Sequence, residues 1–129
     1  MKNKQLKKIK TKNAKIGIIG LGHVGLPLVM RFAEEGFQTI GFDIDEKKIS
    51  RLNNGNSYIK YILDEDIKVT IKAGFIATAN FKNIAKIDVI IICVPTPLDN
   101  NNDPDLSFIT NTLKSIKLYI NKGQLLVLE

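Results

Sequence analysis

The sequence predicts an α/β fold in which a doubly wound parallel sheet is covered by helices, and three observations support this. Short apolar segments alternate along the chain with segments whose apolar residues recur at helical spacing. The apolar segments are hydrophobic throughout, which is typical of parallel strands buried on both faces. A glycine-rich stretch, IGIIGLGHVGLPL (16–28), follows the first of these segments and opens a helical pattern.

Each element is bounded by residues that start or stop regular structure. Uniformly apolar runs predict five strands, at 14–19, 37–42, 75–79, 88–94 and 124–128. Helical spacing, with caps at Asp45 and Asp105 and glycine stops at Gly36 and Gly74, predicts helices at 24–35, 45–52, 64–73 and 106–120 and a helical turn at 82–86. Right-handed crossovers between successive parallel strands then give the doubly wound arrangement.

Composition and charge exclude several classes of protein. The 129 residues are 44% apolar and 25% charged, which is ordinary for one globular domain, and the longest apolar run, Val89–Val94, is too short to cross a bilayer. Seven lysines of residues 1–15 account for the net charge of +6, since the remainder has 12 basic and 13 acidic residues. We therefore expect a flexible lysine-rich leader at 1–14 and no membrane or nucleic-acid partner. The single cysteine allows no internal disulfide and favours the cytoplasm.

Three glycines, Gly20, Gly22 and Gly25, form a GxGxxG pattern between a predicted strand and a predicted helix. In this context the first permits a sharp turn, the second leaves room for a pyrophosphate beside bare backbone, and the third allows the helix to approach the strand. The N–H groups at the helix start, around His23 and Val24, are then available to an anion. The alternative is a glycine-rich turn without a ligand.

Asp43 lies 18 residues after Gly25, at the carboxyl end of the second predicted strand. A carboxylate there can accept hydrogen bonds from a ribose diol and would repel a 2′-phosphate, which favours NAD over NADP. Lys48 is a candidate for the adenosine side, although a solvated helix residue explains it equally well. Together these features predict a Rossmann-type NAD-binding domain at 15–129.

The sequence gives weaker indications of a functional role for the remaining candidate residues. Pro95 and Pro97 flank Thr96 at the end of the fourth strand and fix its direction, so that a cofactor contact and an ordinary strand exit remain open. Cys93 lies in an apolar run, which favours a structural thiol over a nucleophile. His23 is the only histidine, so that no metal site and no catalytic triad is expected.

Four segments resemble the amino-terminal domain of the UDP-glucose/GDP-mannose dehydrogenase family. They are GLGHVGLPL (20–28), GFDID (41–45), IICVPTPLDNNNDPDLSF (91–108) and GQLLVLE (123–129). The resemblance covers nearly all of residues 15–129, and its closest likeness is to the bacterial UDP-N-acetyl-D-glucosamine 6-dehydrogenases. In this family NAD oxidises the 6-hydroxyl of a nucleotide sugar twice, through a cysteine-bound thioester, to the uronic acid.

The resemblance implies roles for individual residues. The backbone at His23 and Val24 would hold the pyrophosphate, Asp43 the ribose and Lys48 the adenosine side, with Thr96 near the cofactor. His23 departs from the usual tyrosine. The family's catalytic cysteine and lysine match no residue here, so we expect a truncated domain that lacks the sugar-binding part and is inactive alone. A homodimer is implied for the longer protein.

Two other functions remain open at this point. The first is another NAD-dependent dehydrogenase of the same wider group, acting on UDP-glucose or a hydroxyacid. The second is a non-catalytic NAD-sensing module. A glycine-framed cysteine further along a longer chain would support the nucleotide-sugar enzyme, whereas tight NAD binding by a domain of this length would support the sensor.

Overall fold

A computed structural model of the protein describes residues 2–129 as one α/β domain. Its strands are β1 (Lys15–Ile19), β2 (Gln38–Phe42), β3 (Ile76–Thr78), β4 (Val89–Ile92) and β5 (Leu125–Leu128). Its helices are α1 (Lys2–Lys10), α2 (Gly25–Glu34), α3 (Glu46–Asn53), α4 (Asp64–Lys72) and α5 (Ser107–Ile116), with a 3-10 helix at Phe81–Lys86. None of the helices in this part of the chain has the length and apolar character needed to cross a membrane.

All five strands are parallel and lie in the order β3-β2-β1-β4-β5. The order reverses between β1 and β4, because the chain moves outward through β2 and β3 and then returns to the other side of β1. Loops at the carboxyl ends of strands diverge at such a reversal and leave a crevice in which ligands of this fold bind. The predicted doubly wound sheet is therefore confirmed.

The core lies on both faces of the sheet, as uniformly apolar strands require. Successive side chains of β4 alternate between the two faces, so that Val89 and Ile91 join one cluster while Ile90 and Ile92 join the other. The first cluster includes residues of α2 and α4, and the second includes Ile84 of the 3-10 helix and Ile116 of α5. This packing fixes the strand ends that form the site.

The amino-terminal residues differ from the flexible leader that we expected, because they contain the helix α1. Lys8 Nζ lies 2.8 Å from one carboxylate oxygen of Asp88, and the other oxygen accepts a hydrogen bond from Lys15 N–H at 2.8 Å. Asp88 immediately precedes β4, so α1 is anchored at the amino-terminal edge of the sheet. The lysine content of the leader gave no indication of this long-range contact.

The last helix is also shorter than predicted. Sequence spacing predicted helix to residue 120, whereas α5 ends at Ile116 and Tyr119 N–H closes a turn on Ile116 C=O at 2.8 Å. Leu118 is 84% exposed and Ile120 is 43% exposed, whereas Tyr119 packs against the second core cluster from this turn.

Candidate dinucleotide-binding site

The glycine turn between β1 and α2 has a backbone path that side chains would obstruct. Gly20 adopts φ +96°, a conformation that L-residues rarely accept, and a Cβ there would lie 2.8 Å from Cys93 C=O. A Cβ on Gly25 would lie 1.7 Å from the carbonyl oxygen of Gly20. These two glycines therefore allow the turn itself and the close approach of α2 to β1.

Gly22 differs from the other two because, apart from its two chain neighbours, no atom of residues 2–129 lies within 4 Å of the place a Cβ would take. The protein leaves this space open, so the absence of a side chain at Gly22 is not required by packing. Val24, the N-cap residue of α2, makes no side-chain capping hydrogen bond and is 56% exposed. The first N–H groups of a helix have no partner within the helix, so this open region presents backbone donors to an anion.

Asp43 follows β2 and contacts the glycine turn directly. One of its carboxylate oxygens accepts a hydrogen bond from Leu21 N–H at 2.9 Å, and the other accepts one from Asp45 N–H at 2.9 Å. Each carboxylate oxygen has a second lone pair, so the group can still accept hydrogen bonds from a diol. The sequence analysis named Asp43 and the glycine turn as parts of one site, and in the structure they are in contact at the edge of the crevice.

Lys48 lies on the first turn of α3, which Asp45 caps by accepting hydrogen bonds from Lys47 N–H and Lys48 N–H. The Lys48 ammonium lies 5.5 Å from the ring centroid of Tyr58, within cation–π distance. This contact places the Lys48 ammonium beside the loop that contains Tyr58, and its role on the adenosine side stays a prediction.

Tyr58 and Tyr61 are site residues that sequence reasoning missed. The Tyr58 hydroxyl donates a hydrogen bond to Leu21 C=O, and the Tyr61 hydroxyl donates one to His23 C=O at 3.3 Å. The His23 and Tyr61 rings lie 6.0 Å apart at a tilt of 39°. The sequence shows two tyrosines three residues apart in a polar loop, which could have marked them as candidates. No local rule, however, predicts a contact between Tyr58 and Leu21, which lie 37 residues apart.

Thr96 lies in the loop after β4, at the same edge of the sheet as the glycine turn. It is exposed, and its hydroxyl forms no hydrogen bond with any of residues 2–129. The structure thus brings Thr96 to the crevice edge without fixing its side chain against the other candidates.

Cys93 and the acidic residues do not provide a reactive centre in the described part of the chain. Burial, with a smaller effect from the charge of Glu129, raises the pKa of the Cys93 thiol to about 11. Within residues 2–129, His, Cys, Asp and Glu side chains form no group of three or more that could hold a metal ion.

A parallel sheet in this strand order, a side-chain-free turn at a helix N-terminus and an acid at the end of β2 define a Rossmann-type dinucleotide-binding domain. Residues 14–129 match the profile of the UDP-glucose/GDP-mannose dehydrogenase family, NAD binding domain. The chain belongs to this family, and NAD is the cofactor that its domain binds.

Known proteins similar to this chain act on nucleotide sugars. The UDP-N-acetyl-D-mannosamine dehydrogenase of Methanococcus vannielii is 37% identical over 93% of this chain and 29% of its own length. The UDP-N-acetyl-D-glucosamine 6-dehydrogenase of Pseudomonas aeruginosa is 32% identical over 92% and 27%, respectively. The structure of the UDP-D-ManNAc dehydrogenase from Pyrococcus horikoshii superposes with a TM-score of 0.82 at 32% identity, covering 89% of this chain and 28% of that one. The chain thus spans less than a third of the length of these relatives.

Proposed function

We propose that this chain is the NAD-binding domain of a dehydrogenase that oxidises the 6-hydroxyl of a UDP-N-acetylhexosamine to the uronic acid. Two NAD molecules are consumed per sugar, and the product serves surface polysaccharide synthesis. The observation that carries the proposal is the family match over 14–129, joined to a glycine turn whose one open position, Gly22, leaves space beside bare backbone. The resemblance adds a homodimer for the longer protein.

The residues described here would bind and orient the cofactor. The backbone at Gly22, His23 and Val24, at the start of α2, would hold the pyrophosphate, and Asp43 would accept hydrogen bonds from the adenosine ribose. Lys48 would lie on the adenosine side, and Thr96 would approach the cofactor from the loop after β4. NAD, when bound, supplies the hydride acceptor for the oxidation. Because the Cys93 thiol has a raised pKa, it is not the nucleophile in this proposal.

The choice of sugar rests on the relatives. The sequence motifs led us to expect a UDP-N-acetyl-D-glucosamine 6-dehydrogenase, and the Pseudomonas aeruginosa relative has that name. Several relatives of equal or higher identity, including those from Methanococcus vannielii and Salmonella typhi, are named UDP-N-acetyl-D-mannosamine dehydrogenases. We therefore propose UDP-N-acetyl-D-mannosamine as the first substrate to test and UDP-N-acetyl-D-glucosamine as the second.

The cofactor assignment is tested by titrating the 129-residue chain with NAD and NADP and following backbone amide resonances. NAD should shift the amides of residues 20–25, and NADP should bind about tenfold or more weakly, because the Asp43 carboxylate repels a 2′-phosphate. Asp43→Asn should weaken NAD binding and reduce the preference. Asp45→Asn is the matched control, since asparagine caps a helix as well as aspartate does.

The activity is tested on the full-length gene product with UDP-N-acetylmannosamine, UDP-N-acetylglucosamine and UDP-glucose. We expect two NADH per sugar oxidised by the full-length protein and no turnover by the 129-residue chain. NADH production by the short chain would contradict the proposal that this domain binds NAD while the catalytic residues lie in the rest of the longer protein. NAD binding without oxidation of any of the three sugars would favour a hydroxyacid dehydrogenase or a non-catalytic sensor.

A further inference from the structure

The loop between α3 and α4 supplies two hydroxyl groups to the glycine turn. Tyr58 donates to Leu21 C=O and Tyr61 donates to His23 C=O, so that alternate carbonyls of the turn are engaged from the same side. Tyr58 is partly buried, whereas Tyr61 is 63% exposed and its bond is long. A hydrogen bond shielded from water is stronger, so the Tyr58 contact is the more important of the two.

A hydrogen bond to a carbonyl also determines where the next N–H points. In a trans peptide the C=O of one residue and the N–H of the next lie in one plane and point in opposite directions. None of the peptide bonds that join residues 2–129 is cis. Tyr58, by holding Leu21 C=O, therefore directs the Gly22 N–H away from the tyrosine loop, and Tyr61 directs the Val24 N–H in the same manner.

The Leu21 residue is held at its other end as well. Its N–H donates to Asp43 Oδ2 at 2.9 Å, and its side chain is fully buried. One backbone residue is thus fixed between the acid at the end of β2 and the hydroxyl of Tyr58. Any movement of Tyr58 would disturb the peptide that precedes the open position at Gly22.

We propose that Tyr58 is a positioning residue for dinucleotide binding, which aims the Gly22 N–H at the diphosphate by holding Leu21 C=O. This inference rests on the NAD-binding function proposed above. The donor is available at all physiological pH values, because burial, and then the charges of Asp43 and Asp45, raise the pKa of the Tyr58 hydroxyl. The Lys48 ammonium over the ring restrains the same side chain.

The test compares the ¹⁵N-labelled chain with its Tyr58→Phe and Tyr61→Phe variants. Dissociation constants for NAD, ADP and adenosine are measured from amide shifts. Tyr58→Phe should weaken NAD and ADP binding about three- to tenfold, the range expected for one lost hydrogen bond. Adenosine has no diphosphate, so its affinity should stay within about twofold. Tyr61→Phe, the matched control, should change NAD affinity less than Tyr58→Phe, because its bond is longer and exposed.

The outcomes separate this inference from the proposed function. If NAD shifts no amide of residues 20–25 in the unaltered chain, both the cofactor site and the role of Tyr58 are overturned. If the unaltered chain binds NAD and Tyr58→Phe binds it equally well, only the role of Tyr58 is overturned. Equal losses for ADP and adenosine would indicate general loosening and would also overturn it. Tyr58→Met, which retains apolar volume without a donor, is measured if Tyr58→Phe lacks a dispersed spectrum.

Discussion

The carbonyl oxygen of Gly20 occupies the space that a Cβ atom on Gly25 would need, since the two positions are only 1.7 Å apart. By contrast, a Cβ on Gly22 would project into open space. Glycines of one motif are therefore constrained in different ways, by the fold at Gly25 and by the proposed ligand at Gly22. Two alanine substitutions separate these constraints.

Gly25→Ala should destabilise the folded chain. The new methyl group cannot be accommodated unless the Gly20 backbone moves, and strain of this kind costs about 2 kcal/mol or more. For a domain of this size that corresponds to a fall in Tm of about 5 to 10 °C. Differential scanning calorimetry measures it, and an unchanged Tm would show that α2 can shift away from β1 at little cost.

Gly22→Ala should leave stability nearly unchanged, within about 0.5 kcal/mol, because the methyl group meets no protein atom. It should weaken NAD binding by about tenfold or more, since it occupies the space next to the backbone donors that the pyrophosphate requires. Calorimetry and amide-shift titration provide the two measurements. Undiminished NAD affinity in this variant would argue against the diphosphate lying beside Gly22.

The ion pair at the amino-terminal edge of the sheet should make stability depend on pH. Burial alone would raise the pKa of Asp88, but the hydrogen bond from Lys15 N–H and the interaction with Lys8 outweigh it and hold the pKa below its ordinary value. A lowered pKa stabilises the folded state above the pKa of the unfolded chain, about 4, and this stabilisation disappears as the pH falls through the folded pKa.

Asp88→Asn should therefore lower the free energy of unfolding by about 1 to 2 kcal/mol at pH 7 and by progressively less below about pH 4. Urea unfolding at pH 7, 5, 4 and 3 measures this difference. Glu34→Gln is the control, because the side chain of Glu34 is 72% exposed and its ion pair with Arg31 lies on the surface. A difference between Asp88→Asn and the unaltered chain that stays constant with pH would show that the charge of Asp88 is not the cause.

Cys93 should react slowly with thiol reagents while the chain is folded. Its pKa of about 11 leaves roughly one thiol in a thousand ionised at pH 8, against about a quarter for an unperturbed cysteine. Iodoacetamide alkylation at pH 8 should thus be about two orders of magnitude slower in the folded chain than in urea. Equal rates would indicate that the thiol is accessible and ionised, as a nucleophile would be.

Local sequence rules predicted the strands, turns and caps whose residues form a recognisable pattern within a few positions of the chain. Apolar runs predicted all five strands to within one or two residues at each end. Burial on both faces explains this for β1 and β4, whereas β5 is mostly exposed in this chain. The glycine spacing, the Asp45 cap and the position of Asp43 after β2 were also predictable, because each depends on backbone geometry within a few residues. General rules of handedness predicted the doubly wound arrangement, and the structure gave the strand order.

The sequence alone therefore determined that the chain has an α/β fold with a glycine turn suited to a dinucleotide and an acid next to it. Only the tertiary structure decided that Tyr58 and Tyr61 hold the carbonyls of that turn and that Asp88 anchors α1. The physical reason is how far apart the contacting residues lie along the chain. Propensity and spacing act over one element, whereas these contacts join residues 37 to 80 positions apart, which are brought together only when the sheet has formed.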